Sequence, residues 1–255
     1  MVTAEELKYP VDVAVDSTGT IFVADHEAHS LLKWNGLTFE TVAQGQGLPR
    51  TPLYGIRHIA PRNGSIIASD PATMKLYNIT YGKIETIPDD NRFVTPWGIA
   101  VEPSGNILAV DRVTRSLRRL NNANNQVEDL SKVQAPRAIL FDPNGQIVLL
   151  TDSNLMRVSG EPKNKLQPII ASPPFEFPHD ALLHPDGNYY VTDGYAKTVW
   201  KVTVNGKVTA FIQGNPLISP QGLAVDKAGN LLVADAHAKA IFQITPKRKL
   251  TRLGQ

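Results

Sequence analysis

Six side chains at equivalent places along the chain could together hold a ligand: Val11, Tyr54, Trp97, Arg137, His179 and Gln221. Five of them directly follow a proline; Tyr54 is placed by the glycine after it, Gly55. Two aromatic faces offer apolar area, and a guanidinium offers a two-pronged grip on a carboxylate or phosphate. An imidazole and an amide add directional hydrogen bonds. A second set follows within two residues of an aspartate: His26, Arg112, Tyr195 and His237. The mixture differs from position to position, and a binding site needs that asymmetry.

These residues sit in a repeated frame. Val15-Asp16-Ser17-Thr18-Gly19-Thr20-Ile21-Phe22-Val23-Ala24-Asp25 returns, in varied form, up to Val225-Asp226-Lys227-Ala228-Gly229-Asn230-Leu231-Leu232-Val233-Ala234-Asp235. Six copies end at Asp25, Asp70, Asp111, Asp152, Asp193 and Asp235, about 41 to 45 residues apart. That period is the length of a propeller blade. Each copy reads as a short apolar strand, a polar turn ending in glycine, a second strand ending at the aspartate, and two further strands. No window carries helical periodicity. The fold class is therefore all-β, a six-bladed β-propeller of four-stranded antiparallel blades, with residues 1–255 as one domain. Ring closure has two readings: Leu250 to Leu253 supplies the last outer strand, or Met1 to Leu7 pairs with the final blade. The six aspartates, equivalent around a ring, are expected to cap loops by accepting backbone N–H bonds.

Antiparallel pairing puts the start of each first strand and the end of each second strand on one face. The six variable positions then lie near the axis of that face, with the second set outside them. The predicted ligand-binding residues are Tyr54, Trp97, Arg137, His179, Tyr195 and Gln221.

The 255 residues carry 26 basic and 24 acidic side chains, a net charge of +2. A balanced charge gives little pull on nucleic acid, which is not an expected partner. Arg112, Arg115, Arg118 and Arg119 cluster, but Arg118 and Arg119 alternate on a strand and point to opposite sides. No apolar run reaches the length of a membrane span, so membrane insertion is not expected. With no cysteine, thiol catalysis, thiolate metal sites and disulfides are excluded. Met1 to Lys8 lacks a signal pattern. The compartment stays open, with an extracytoplasmic domain of a bacterial protein favoured for a chain trimmed from an exported one. A closed ring has few free edges, so a monomer is expected.

Proline, one variable residue, glycine, an apolar strand, a polar turn and then Val-Ala-Asp resembles the NHL repeat. Pro96-Trp97-Gly98-Ile99-Ala100-Val101 through Asp111 and Pro220-Gln221-Gly222-Leu223-Ala224-Val225 through Asp235 match best. The whole chain resembles the sensor propellers of bacterial receptor Ser/Thr kinases, which implies recognition of a small ligand or a peptide or protein partner on the axial loop face. Phe177-Pro178-His179-Asp180 and Asp193-Gly194-Tyr195 resemble parts of the peptidyl-hydroxyglycine amidating lyases. That resemblance implies a zinc ligand at His179 and a catalytic tyrosine at Tyr195. Catalytic zinc takes three protein ligands, and the six inner positions hold one histidine. Lactonase-like propellers, a further alternative, use carboxylates near the axis, and no glutamate holds an inner position. The sequence thus assigns no catalytic residue, no metal and no cofactor, with a metal-assisted lyase or hydrolase as the alternative to a binding propeller.

Overall fold

In a computed structural model, which describes residues 6–159 and 165–254, the chain forms 24 strands, numbered in chain order, in six four-stranded antiparallel sheets. Blade 1 is β1 (Pro10–Val15), β2 (Ile21–Asp25), β3 (Ser30–Trp34) and β4 (Phe39–Gln44). Five more blades repeat the order, with first strands β5 (His58–Arg62), β9 (Pro96–Val101), β13 (Pro136–Phe141), β17 (Pro178–Leu183) and β21 (Pro220–Val225). First strands touch one another in the order 1, 2, 3, 4, 5, 6 and back to 1, which closes the ring around an axis. Among the described residues no helix is long and apolar enough to cross a membrane.

A single twisted blade has two apolar faces and cannot bury both alone. The structure resolves this with six hydrophobic clusters, one at each blade-to-blade interface. Tight turns between first and second strands need a residue at positive φ; Gly105, at 85°, supplies it in blade 3.

Closure follows the first of the two readings. β24 (Leu250–Arg252) pairs with β23 (Ala240–Ile244), so blade 6 carries its own outer strand. Met1 to Glu5 of the alternative strand lie outside the described residues. Leu7 is buried beside Leu232, Ala234 and Ile241 of blade 6. The seam is thus sealed by side chains, each fully buried leucine or isoleucine contributing about 1.5–3 kcal/mol.

Register corrects two alignments. In blade 4 the strand end paired with Pro136 is Thr151, and Asp152 lies one residue beyond it, exposed. The Thr151 hydroxyl accepts from the amide of Asn154, 3.0 Å, and so caps the loop, while the Asp152 amide donates to the Ala135 carbonyl at 3.0 Å and holds the entry of β13. In blade 2, Ile59 pairs with Ala68 just as Ile99 pairs with Ala109, which makes Arg57 the counterpart of Trp97. Tyr54 lies in the connection ahead of β5, its ring stacked on His29 at 5.0 Å.

The five remaining aspartates are caps. Asp111 is typical, accepting from the amides of Val94, Thr95 and Thr114 at 2.7–2.9 Å. It ties the entry of its blade's first strand to the loop after its second. Of the basic cluster, Arg118 is buried against Asp129 at 2.6 Å, and Arg119 pairs with Glu102 at 2.9 Å and Glu128 at 3.3 Å.

Candidate functional site

Two layers of side chains line the axis. The outer layer, at the loop face, is Arg57, Trp97, Arg137, His179 and Gln221, with Val11 at the equivalent position of blade 1 turned into the core between blades 1 and 2; the next residue along each strand forms the inner layer, Asp12, His58 and Asp180, with Gly98, Gly222 and the core residue Ala138 at the other three positions. Glycine stands where neighbouring first strands come closest. A Cβ on Gly98 would meet the Ala138 Cα at 2.8 Å, and one on Gly222 would collide with the backbone of Asp12. Hydroxyls then fix the outer layer. Ser69 of blade 2 donates to the Trp97 carbonyl of blade 3 at 2.6 Å, and Thr192 of blade 5 donates to the Gln221 carbonyl of blade 6.

The outer layer is a cationic, aromatic funnel. Arg57 and Arg112 each lie 4.5 Å from the centroid of the Trp97 ring, and Arg137 lies 4.3 Å from that of Phe177. Phe177 in turn stacks on Tyr195 at 4.7 Å. Arg57 donates to the Gln221 side-chain carbonyl at 2.9 Å and to His179 Nδ1 at 3.2 Å. A guanidinium only donates, so His179 accepts at Nδ1 and carries its proton on Nε2. Nε2 faces Gly194, where a Cβ would stand 2.7 Å away. At the rim, the Tyr9 hydroxyl lies 3.4 Å from His237 Nε2 and 3.5 Å from the Gln221 amide.

These charges feel carboxylates only at longer range, Arg57 that of Asp12 and Arg137 that of Asp152. Among the described residues, no carboxylate lies within ion-pair distance of Arg57, Arg112 or Arg137. Arg137 is 4% exposed, and its Nε and Nη1 find no hydrogen-bond acceptor. Burial, aided by the neighbouring Arg112 charge, lowers the Arg137 pKa. Burial likewise lowers Arg57, to about 10, against the pull of Asp12. Burial and then the charges of Arg57, Arg137 and Arg112 push His179 down to about 3, so its imidazole is neutral at physiological pH.

The inner layer has opposite character. His58 spans the axis between Asp12 of blade 1 and Asp180 of blade 5, 3.5 Å from each. Asp12 accepts from the amides of Val13 at 2.9 Å and Ile59 at 2.7 Å; Asp180 accepts from Ala181 and Leu223, both at 2.8 Å. Each aspartate therefore fastens its blade to the next. Burial alone would lower His58, but the two carboxylates outweigh it and hold the imidazolium up to about 9. Burial raises Asp12 to about 7 against the attraction of His58. Together, Arg57–His179 and His58–Asp180 make two rungs between blades 2 and 5, which face each other across the ring. Below them lies an apolar channel of about 440 Å³ lined by Ile99, Ile139, Phe141 and Leu183 among others.

Of the predicted ligand-binding residues, the structure brings Trp97, Arg137, His179 and Gln221 to the axis with Tyr195 behind Phe177, and leaves Tyr54 outside. Sequence reasoning missed Arg57 and the carboxylates of Asp12 and Asp180. The signal for Arg57 was present: Arg57-His58-Ile59-Ala60 parallels Trp97-Gly98-Ile99-Ala100, but no proline precedes it. The carboxylates lie one residue beyond the variable positions, where Asp12 and Asp180 turn toward His58 at the axis, and strand alternation predicts the opposite direction.

The NHL repeat pattern matches residues 7–34, which span the first three strands of blade 1. No curated protein matches the sequence. The fold is similar to a virginiamycin B lyase from Staphylococcus aureus, solved as a catalytically inactive variant with quinupristin: TM-score 0.73, 15% identity, 100% of this chain and 89% of that one. A gluconolactonase from Xanthomonas campestris aligns at TM-score 0.77 with 12% identity, over 98% and 88% of the two chains. A chain of the nidogen/laminin complex aligns at 0.71 with 16% identity, over 84% and 83%. The chain is thus a six-bladed propeller carrying an NHL repeat, a fold shared by enzymes and by a protein-binding module.

Proposed function

We infer that the protein is a recognition propeller whose axial funnel binds an anionic group, a carboxylate or phosphate, attached to a flat or apolar body. One observation carries the reading: three guanidiniums converge on the loop face with no carboxylate partner, and buried Arg137 has two N–H positions without an acceptor. A buried donor left unpaired costs about 1–3 kcal/mol, a penalty that an incoming oxyanion removes. Trp97 and Phe177, each already stacked against a guanidinium, supply the apolar walls. Gln221 and neutral His179 orient Arg57.

Isothermal titration with benzoate and phenyl phosphate, against neutral benzamide, tests this. The anions bind, benzamide binds at least tenfold more weakly, and Arg137→Gln weakens the anions about 10- to 100-fold. Equal binding of benzamide, or an unaffected Arg137→Gln variant, would sink the reading.

A metal-assisted lyase or hydrolase is the second reading, favoured by the lyase and lactonase likenesses and by one cluster. Asp12, His58 and Asp180 offer ligand atoms within 4.8 Å of one another, the one such group among the described residues. The group does not fit a metal well at neutral pH: the imidazole is held protonated, and every carboxylate oxygen already accepts a backbone N–H. His179 is turned to a guanidinium. Metal content by mass spectrometry, beside a His58→Asn variant, separates the readings; about one ion per chain, lost in the variant, would favour the enzyme.

A further inference from the structure

Large apolar side chains stand exposed on both faces of the ring, but unevenly. Leu48, Met74, Val94, Val113, Tyr195 and Ile218 lie in connections at the loop face; Leu37, Tyr81 and Val204 lie in turns at the other. Four of the first group adjoin the funnel. Val113 follows Arg112, and Val94 and Ile218 each precede an outer-layer residue, Trp97 and Gln221, by three positions. Tyr195, 71% exposed, stacks on the Phe177 that supports Arg137. Val94 and Val113 belong to blade 3 and Ile218 to blade 6. Those blades face each other across the ring, so the apolar groups bracket the cationic centre from both sides. Tyr195 of blade 5 extends the patch beside Ile218.

Resting on the anion-binding reading of the funnel, we propose that the loop face docks an extended peptide segment of a protein partner, with an acidic side chain in the funnel and apolar side chains flanking it. A small anion uses the arginines alone and leaves the rim in water. An extended segment laid from blade 3 to blade 6 uses both. Its carboxylate meets Arg57 and Arg137, one flank covers Val94 and Val113, and the other covers Tyr195 and Ile218. Charge complementarity selects the acidic residue, and the flanks add affinity through apolar area removed from water. Exposed apolar residues clustered around a charged centre are a mark of interaction sites, unlike isolated ones.

The test uses two probes on the intact chain: a capped pentapeptide with a central aspartate and leucine at the other four positions, and a capped single aspartate. Fluorescence anisotropy reads the first directly and the second by competition. The pentapeptide binds at least tenfold more tightly than the capped aspartate. A Val113→Ser, Ile218→Ser double variant, altered only at exposed positions and checked by an unchanged melting temperature, removes that advantage and leaves capped aspartate unaffected. Equal affinities for the two probes overturn the peptide proposal while sparing the funnel, because the site then takes small anions only. A pentapeptide with asparagine in place of aspartate that binds as tightly overturns both, because the carboxylate then contributes nothing. Loss of both probes in Arg137→Gln, with only the flanked probe affected by the double variant, supports both and separates their contributions.

Discussion

The outer and inner layers of the axis differ by one residue along each strand and by how their charges are met: carboxylates flank the inner-layer His58, and none lies within ion-pair distance of the outer-layer arginines. Arg137, in the outer layer, has a buried charge, unpaired N–H groups and a cationic neighbour, Arg112. Asp180, in the inner layer, meets His58, Ala181 and Leu223 with its two oxygens. Both are about equally buried, at 4% and 5% exposed, so burial does not separate them; pairing does. A paired buried charge tends to hold structure, and an unpaired one is a cost that a ligand can relieve. The inner layer thus reads as a lock between blades and the outer as a receptor.

The contrast breaks most visibly at Asp180. Asp180→Ala strips the Leu223 amide of its acceptor and His58 of one partner. It is expected to lower unfolding stability by about 3–5 kcal/mol in denaturant titration. Arg137→Gln, by contrast, removes a buried unpaired cation. It is expected to change stability by less than about 1 kcal/mol, because the lost ring contact is offset by relief of desolvation. If both variants lose equal stability, the two layers do not differ as described.

The pH profile sharpens the same comparison. His58 has its pKa raised, so its contribution is complete below its ordinary value near 6.5 and fades as pH rises through about 9. Asp12, raised to about 7, ionises in the lower part of that range, so the upper part reports His58. The stability advantage of the native protein over His58→Asn therefore shrinks between pH 7.5 and 10, measured by chemical denaturation. An advantage that stays constant over that interval would show that His58 carries no extra proton. The smallest effect is expected at Gly194→Ala, whose Cβ would press on His179 Nε2. The imidazole end can shift, so anion affinity falls about threefold by the titration above, with little change in melting temperature, as a displacement worth under 1 kcal/mol requires.

The ring was legible because its signals are local and repeated. Asp16 to Gly19 marks a hairpin, the next strand ends at Asp25, and the same order returns at Asp226 to Asp235. Even the funnel was partly legible: Trp97, Arg137, His179 and Gln221 follow prolines that mark where each first strand begins. Blade 2 escaped because Arg57 has no proline before it and Gly55, which resembles the marker, lies three residues early. Blade 4 escaped because Asp152 is adjacent to the true strand end, Thr151, and only backbone pairing distinguishes neighbours.

What the sequence determined by itself was the number of blades, the strand order and the face on which variable residues gather, since each depends on contacts within about 40 residues of chain. The tertiary structure alone decided which charges meet. His58 and Asp180 lie 122 residues apart, and so do Arg57 and His179. Their pairing across the axis comes from ring closure, which brings blades 2 and 5 face to face. Whether an arginine there is neutralised or left open to a ligand depends on that meeting, and no local pattern in the chain encodes it.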